Sequence, residues 1–208
     1  MNRKNLQLYF VYGSHQGDTE RSLEVIRQAL EGGITMFQLR EKGGGALQGR
    51  ALLDFARSVR SLTSEYGVPF IVNDDSALAM EAGADGLHIG QDDIPPADLP
   101  GWFDEKIVGL SVGNADELSA SDLRSVDYIG TGPVFATQSK DDAGEAIGIT
   151  GLEWMRSQVG PLPMVAIGGI THENYRACLE AGADGAAVIS AIAGADDVEK
   201  AVRRFLSL

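Results

Sequence analysis

Eight short apolar runs, rich in Val, Ile, Leu and Phe, recur along the chain, and each has the length of a buried β-strand. They cover residues 8–12, 34–39, 69–73, 86–89, 107–112, 126–130, 163–167 and 185–189. Helical patterns lie between them at 19–30, 46–66, 76–82, 115–123, 149–158, 172–181 and 196–205, with a weaker, Pro-broken connection at 95–105. Strands that alternate with helices predict a parallel sheet. Eight such units predict closure into a (β/α)8 TIM barrel of the α/β class.

Two stretches of sequence repeat this unit almost identically. The motif E-A-G-A-D-G occurs at 81–86 and again at 180–185, each time between a helical pattern and an apolar run. In both copies a glycine can end the helix in the left-handed conformation, and the Asp-Gly pair leads into the next strand. The repeat therefore indicates that helix, loop and strand form the repeating unit.

Length and hydropathy bound the class of protein. The chain has 208 residues, close to the lower limit of roughly 200 for such a barrel, so we expect a single domain over residues 1–208. The apolar fraction of 44% and the mean hydropathy of −0.06 are typical of soluble proteins. Neither a signal peptide nor an apolar stretch of ~20 residues is recognisable, so we expect a cytoplasmic protein without membrane contact.

The charge balance limits the partners. The formal net charge of −13 argues against binding to nucleic acid or to an anionic membrane. A phosphate-bearing small molecule would need a local cluster drawn from the 17 Lys and Arg residues. The single cysteine, Cys178, lies on a helical pattern, and we interpret it as a buried structural thiol. A homodimer is expected only because it is the commonest oligomer.

Polar residues close five of the predicted strands, and the carboxyl ends of barrel strands are where such enzymes place their sites. Gln38, Arg40 and Lys42 close the second strand on one face, while Leu39 faces the helices. Arginine suits bidentate contact with a phosphate, and lysine supplies a point charge. We therefore predict a phosphate site here. The alternative is a solvated charge cluster before the glycine turn at 43–45.

Carboxylates follow the third and fourth strands. Asn73, Asp74 and Asp75 end the third strand, and Asp92 and Asp93 follow the fourth. Adjacent parallel strands lie ~4.8 Å apart, so one carboxylate from each can reach the same ion. Mg²⁺ takes one or two carboxylates and completes its shell with water and phosphate oxygens. We predict Asp74 and Asp93 as the magnesium ligands, with Asp75 as a helix N-cap and Asp92 solvated.

The connection after the sixth strand is long for a compact barrel. Thr137, Ser139 and Lys140 offer two hydroxyls and a cation, and the continuation through Gly148 could close as a lid over a ligand. The alternative is an ordinary surface loop.

A second anion site is predicted at the last two strands. Gly168 and Gly169 end the seventh strand, and Ile189 and Ser190 end the eighth. Barrels commonly hold a phosphate between these loops with backbone N–H groups and the start of a short helix.

The three histidines show no catalytic pattern. We interpret His88 as a hydrogen-bonded histidine of the interior, and His15 and His172 have no visible partner. No Ser-His-Asp or Cys-His pair is recognisable, which disfavours covalent hydrolysis.

Five motifs together resemble the thiamine phosphate synthase family, also called thiamine-phosphate pyrophosphorylase. They are Q-L-R-E-K, V-N-D-D, G-A-D-G-L-H-I-G-Q-D-D, D-Y-I-G-T-G-P-V-F-A-T-Q-S-K and V-A-I-G-G-I, in the order of the family and over nearly the whole chain. The resemblance implies a (β/α)8 barrel that joins 4-amino-2-methyl-5-hydroxymethylpyrimidine diphosphate to a thiazole phosphate. The products are thiamine phosphate and diphosphate.

The resemblance also implies roles for individual residues. The residues that resemble the contacts to the pyrimidine diphosphate are Gln38, Arg40, Lys42, Asn73 and Lys140, with Ser111 near the pyrimidine. Those that resemble the thiazole phosphate site are Thr137, Ser139, Gly169, Ile189 and Ser190. Asp74 and Asp93 resemble the magnesium ligands. Position 139 is Ser where Thr is usual, which keeps the hydroxyl.

The implied mechanism is largely dissociative. Mg²⁺, Arg40, Lys42 and Lys140 would neutralise charge on the leaving diphosphate, the pyrimidine methylene would become cation-like, and the thiazole nitrogen would attack it.

Two alternatives stay open. A thiazole tautomerase of the same fold uses a histidine two residues after the fifth-strand serine, where this chain has Gly113. A non-catalytic sensor of phosphate ligands is the other.

Overall fold

Eight parallel strands form one closed barrel in the computed structural model, which describes residues 1–14, 17–137 and 144–207. Each strand pairs with its neighbours in sequence, and β8 closes the barrel against β1. The strands are β1 Leu8–Tyr12, β2 Met36–Leu39, β3 Phe70–Asn73, β4 Gly86–Ile89, β5 Ile107–Ser111, β6 Tyr128–Thr131, β7 Met164–Ile167 and β8 Gly185–Val188. All eight predicted strands are present, and the predicted TIM barrel is confirmed.

Helices connect the strands on the outside of the barrel. They are α1 Thr19–Gly32, α2 Gly49–Glu65, α3 Ser76–Ala82, α4 Ala115–Ala120, α5 Gly148–Val159, α6 Tyr175–Glu180, α7 Ser190–Ala193 and α8 Val198–Leu206. Among the described helices, none combines the length and apolar content needed to cross a membrane.

Several helix bounds differ from the predicted ones, whereas the segment 95–105 is the Pro-broken connection that was expected. The helix predicted over 46–66 begins only at Gly49, and the one predicted over 172–181 begins at Tyr175. The segment 95–105 folds into two short 3₁₀ turns, because its prolines lack the N–H groups of a regular helix. The short α7 was not among the predicted helical patterns, since four residues are too few to show a helical period, and a short helix was expected here only from the usual form of a barrel phosphate site.

Alternation of side chains along the strands creates two apolar cores. Outward-facing residues such as Leu39 pack against the helices, as predicted. The inward-facing core fills the barrel and consists of Leu6, Tyr9, Val11, Met36, Ile71, Tyr128, Val165 and Ala187. Because the interior is filled in this way, ligands have access only to the ends of the barrel.

The repeated E-A-G-A-D-G motif fastens each unit to the strand before it. Asp85 Oδ2 accepts a hydrogen bond from the backbone N–H of Phe70 at 2.9 Å, and Asp184 Oδ2 accepts one from Met164 at 2.8 Å. Gly83 ends α3 in the left-handed conformation with φ 67°, as predicted. These aspartates lie at the amino ends of the strands, so the repeat serves the fold and leaves the carboxyl ends for the site.

Candidate active site

A cavity of about 690 Å³ opens at the carboxyl ends of the strands. Its walls come from the segments that follow β2 to β8, so almost every unit of the barrel contributes to it. The predicted site residues that line it are Arg40, Lys42, Asn73, Asp74, Asp93, Ser111, Thr137, Gly169, Ile189 and Ser190. The structure thus brings together most of the side chains that the sequence selected.

Three predicted residues stand apart from this set. Ser139 and Lys140 lie outside the described residues, as does the centre of the predicted lid. Gln38 does not belong to the described cavity lining, because its side chain is 3% exposed and turns into the barrel. Its amide Nε2 donates a hydrogen bond to the Tyr9 hydroxyl at 2.7 Å.

A cation and two carboxylates meet at one wall of the cavity. Lys42 Nζ lies 2.6 Å from Asp74 Oδ2, and Asp93 lies beside Asp74 and accepts the N–H of Gly90 at 2.6 Å. Burial raises the pKa of Asp74; the hydrogen bond with Lys42 opposes this shift, and Asp93 adds to it. Asp74 also has φ 61°, a left-handed conformation that is uncommon outside glycine, and its N–H donates to the carbonyl of His88 at 2.8 Å.

The neighbouring aspartates behave as the sequence indicates. Asp75 Oδ1 accepts the N–H of Leu78 at 2.8 Å and is the N-cap of α3, so that prediction is confirmed. Asp92 is exposed at the rim of the cavity. Asp74 and Asp93 are therefore the two aspartates whose carboxylates contact each other in the cavity.

The chemistry of this pair fits a magnesium ion. Among the described residues, no group of three His, Cys, Asp or Glu side chains could enclose a metal. An open site with two carboxylates, completed by water and phosphate oxygens, is the usual arrangement for Mg²⁺. Of the described cavity residues, Arg40 and Lys42 carry positive charge, whereas the carboxylates are those of Asp74, Asp92, Asp93, Glu117 and Glu145. A diphosphate would meet this excess of negative charge unless a cation accompanied it.

Glu41 holds in place the loop that carries Arg40 and Lys42. It faces away from the cavity and accepts hydrogen bonds at 2.7 Å from the backbone N–H of Ser14 and from that of Leu47. The carboxylate thereby ties the loop after β1 to the loop after β2, which carries Arg40 and Lys42. This role of Glu41 was not predicted, because its contact with Ser14 joins two different loops and leaves no local signal in the sequence.

A chain of hydrogen bonds crosses the barrel interior and ends at the cavity. Tyr9 and Tyr128 hydroxyls are 2.9 Å apart, Tyr128 lies 2.9 Å from His88 Nδ1, and His88 Nε2 lies 3.0 Å from Ser111 Oγ. Gln38 is the other end of the chain, and we call the five residues the Gln38–Ser111 chain. His88 is confirmed as a hydrogen-bonded interior residue. The contact between His88 and Ser111 was not predicted, because residues far apart in sequence meet across strands.

Gly109 makes the central contact of this chain possible. In the register of the sheet it lies between His88 on β4 and Tyr128 on β6. A Cβ atom at this position would overlap the Tyr128 ring and lie 2.5 Å from His88 Nδ1. Only glycine leaves the space in which the two side chains meet.

The loops after β7 and β8 form the opposite wall. Gly168 and Gly169 have φ values of 95° and 63°, and a Cβ on Gly169 would lie 2.6 Å from the carbonyl oxygen of Ala136. Ser190 begins the short α7 directly after Ile189. This wall has the two-loop, short-helix form that was predicted for a phosphate site.

Comparison with known proteins identifies the family. A family model described as thiamine monophosphate synthase matches residues 8–192. The chain belongs to the thiamine monophosphate synthase family. A thiamine-phosphate synthase of Staphylococcus carnosus is 51% identical over 204 residues, which cover 98% of this chain and 96% of that protein. Thiamine-phosphate synthase 1 of Streptococcus pneumoniae serotype 4 is 48% identical and covers 95% of each chain.

Solved structures agree with membership in the thiamine monophosphate synthase family. A thiamine phosphate pyrophosphorylase from Pyrococcus furiosus superimposes with a TM-score of 0.85 at 35% identity, covering 99% of this chain and 96% of that one. A 3-hexulose-6-phosphate synthase, with a TM-score of 0.66 at 15% identity over 97% of this chain and 98% of its own, supports the fold alone. The predicted resemblance is confirmed, and so is the expectation that the chain is an enzyme of the transferase class.

Proposed function

We propose that the protein is a thiamine-phosphate synthase of thiamine biosynthesis that joins 4-amino-2-methyl-5-hydroxymethylpyrimidine diphosphate to a thiazole phosphate. The observation that carries the proposal is the contact between Lys42 and Asp74 at 2.6 Å, with Asp93 adjacent. A cation and a carboxylate pair at one wall suit a diphosphate that arrives with a divalent ion. The relatives are named thiamine-phosphate synthases, and the formation of thiamine phosphate is the reaction we assign to this wall of the cavity.

The two substrates would occupy opposite walls of the cavity. Arg40, Lys42, Asn73 and Lys140 would bind the pyrimidine diphosphate, with Gln38 beneath it and Ser111 near the pyrimidine ring. The residues assigned to the thiazole phosphate are Thr137, Ser139, Gly169, Ile189 and Ser190. Asp74 and Asp93 would hold Mg²⁺, which when bound supplies positive charge to the diphosphate oxygens.

The proposed reaction is a dissociative substitution. The bond between the pyrimidine methylene carbon and the diphosphate oxygen breaks, and its electron pair leaves with the diphosphate. Arg40, Lys42 and Lys140 stabilise the charge that develops there. The ring nitrogen of the thiazole then forms the new bond to the methylene carbon. The side chains position the two substrates and neutralise the charge on the leaving diphosphate, and none has to act as a nucleophile.

One observation favours the synthase over a thiazole tautomerase of the same fold. The tautomerase would need a histidine at the position of Gly113, and a Cβ there would lie 2.9 Å from the carbonyl oxygen of Gly132. Such a contact is too short, so a histidine would require the backbone to shift. Location in the cytoplasm and a homodimeric state remain predictions.

The test is release of diphosphate by purified protein, with thiamine phosphate followed in the same samples. We expect release that requires both precursors and Mg²⁺. Arg40→Ala should nearly abolish it, whereas Arg50→Ala, at an exposed arginine of α2 that pairs with Asp54, should not. Folded protein that releases no diphosphate would overturn the proposal. Interconversion of thiazole carboxylate isomers in the absence of the pyrimidine would support the tautomerase, and binding of phosphate ligands without turnover would support the sensor.

A further inference from the structure

In each hydrogen bond of the Gln38–Ser111 chain, the donor and the acceptor can be assigned, and the assignment starts at the buried end, at Gln38. The amide nitrogen of Gln38 can only donate, so the Tyr9 oxygen accepts this bond at 2.7 Å. The Tyr9 side chain is 1% exposed, and a hydroxyl proton without a partner is costly there. The Tyr128 oxygen, 2.9 Å away, is the acceptor in reach. Tyr9 therefore donates to Tyr128.

The same reasoning assigns the donor and the acceptor of the hydrogen bond between Tyr128 and His88. Tyr128 has accepted from Tyr9, so its own proton points to His88 Nδ1 at 2.9 Å. Burial raises the pKa of Tyr9 and of Tyr128, which keeps both phenols protonated. An imidazole that accepts at Nδ1 carries its proton on Nε2. Nε2 then donates to Ser111 Oγ at 3.0 Å.

We infer that Ser111 is held as a hydrogen-bond donor toward the cavity, with Tyr9, Tyr128 and His88 as the positioning residues that impose this role. The Ser111 oxygen has accepted from His88, so its own proton is left for a ligand. Ser111 lines the cavity and is half-buried, which makes this proton accessible. The partner is a hydrogen-bond acceptor, such as an unprotonated ring nitrogen or a diphosphate oxygen.

The inferred direction also excludes a nucleophilic role for this serine. A His88 that carries its proton on Nε2 cannot take the proton of Ser111, although the two atoms have the spacing of a serine-histidine dyad. The Gln38–Ser111 chain therefore orients the Ser111 hydroxyl as a hydrogen-bond donor and does not activate it as a nucleophile. The inference rests on the proposed function only for the identity of the ligand.

The direct test is the tautomer of His88 in the ligand-free protein. Long-range ¹H–¹⁵N correlation spectra distinguish a proton on Nε2 from one on Nδ1, and the chain has 3 histidines, which His15→Gln and His172→Gln would assign. We expect His88 to carry its proton on Nε2. A proton on Nδ1, or an even mixture of tautomers, would overturn the inference. This outcome does not depend on activity, so it is separate from failure of the proposed function.

A double-mutant cycle tests whether the chain acts through Ser111. Tyr128→Phe removes the donor to Nδ1, and we expect both tautomers to appear and kcat/KM to fall about tenfold, as for one neutral hydrogen bond. In a Ser111→Ala background the same change should have little further effect, because no hydroxyl remains to be oriented. Losses that simply multiply would mean that Tyr128 is only structural.

Tyr175→Phe is the matched control. It also removes a buried tyrosine hydroxyl, one that donates to the carbonyl of Gln7 at 2.7 Å and lies outside the Gln38–Ser111 chain. We expect it to leave the His88 tautomer and kcat/KM unchanged. The wild-type spectrum decides the inference even if Tyr128→Phe is too unstable to purify.

Discussion

Lys42 Nζ lies 2.6 Å from Asp74 Oδ2, so the cation that follows β2 is paired with the carboxylate that follows β3. The pair sits in the cavity, with the lysine side chain 45% and the aspartate side chain 24% exposed. Both partners thus remain accessible to a ligand. A diphosphate could draw Lys42 to itself, and a divalent ion could take the lysine's place beside Asp74 and Asp93.

Asp74→Asn should remove magnesium dependence without unfolding the barrel. Asparagine has the same shape and tolerates the left-handed conformation of this residue, φ 61°. We expect turnover to fall at least ~100-fold, because a metal supplies several kcal/mol of charge stabilisation. In thermal unfolding, we expect Mg²⁺ and diphosphate to stabilise the wild type and to have no such effect on the Asp74→Asn variant.

Asp75→Asn is the control for this change. Its carboxylate caps α3 by accepting the N–H of Leu78, and asparagine can cap equally well. We expect the response to Mg²⁺ and the turnover to stay at wild-type levels. Equal losses in both variants would mean that the effect of Asp74→Asn is not specific to a metal ligand.

Gly109→Ala should destabilise the barrel and separate His88 from Tyr128. The added methyl group would overlap the Tyr128 ring, and overpacking of this kind costs about 1–3 kcal/mol. Urea unfolding measures the loss, and the His88 spectrum reports the broken contact. Gly44→Ala is the control for stability, because a Cβ at Gly44 meets nothing within 4 Å. A fully stable Gly109→Ala protein would show that Tyr128 can move aside at little cost.

Glu41→Ala should weaken binding of the diphosphate substrate. Loss of the carboxylate leaves the N–H groups of Ser14 and Leu47 without this acceptor, at a cost of about 1–3 kcal/mol. We expect KM for the pyrimidine diphosphate to rise because Arg40 and Lys42 lose their support. Steady-state kinetics and urea unfolding give the two readings. Glu153→Ala, at an exposed position of α5, should change neither, and an unchanged KM in Glu41→Ala would refute the supporting role.

The sequence was sufficient for the features that depend on neighbours along the chain. Apolar runs and helical periods located all eight strands, and the carboxyl ends of those strands located Arg40, Lys42, Asp74 and Asp93. Parallel strands bring their carboxyl ends to one rim whatever their packing is. A residue directly after a strand could therefore be placed without coordinates.

Features that depend on contacts across the barrel could not be predicted in the same way. Gln38 looked like a cavity residue, yet it turns inward because Tyr9 on the neighbouring strand offers its hydroxyl. The pair of His88 and Ser111 and the space over Gly109 depend on the register of β4 to β6. One-dimensional periodicity contains no information on which inward-facing side chains meet.

The free energy of unfolding should fall as the pH rises from about 9 to about 11, in part because of Cys178. Burial raises the pKa of this thiol from 9.0 to about 11, so the unfolded chain loses the proton at a lower pH than the folded protein does. The folded state then binds more protons in this window, and its stability decreases with pH. Urea unfolding at pH 8 and pH 10 measures the change.

Cys178→Ala should lose some stability at both pH values because it leaves a small cavity, but its dependence on pH should be shallower than that of the wild type. An equal slope in the two proteins would assign the alkaline loss to other groups, such as Tyr175, whose pKa burial raises to about 12.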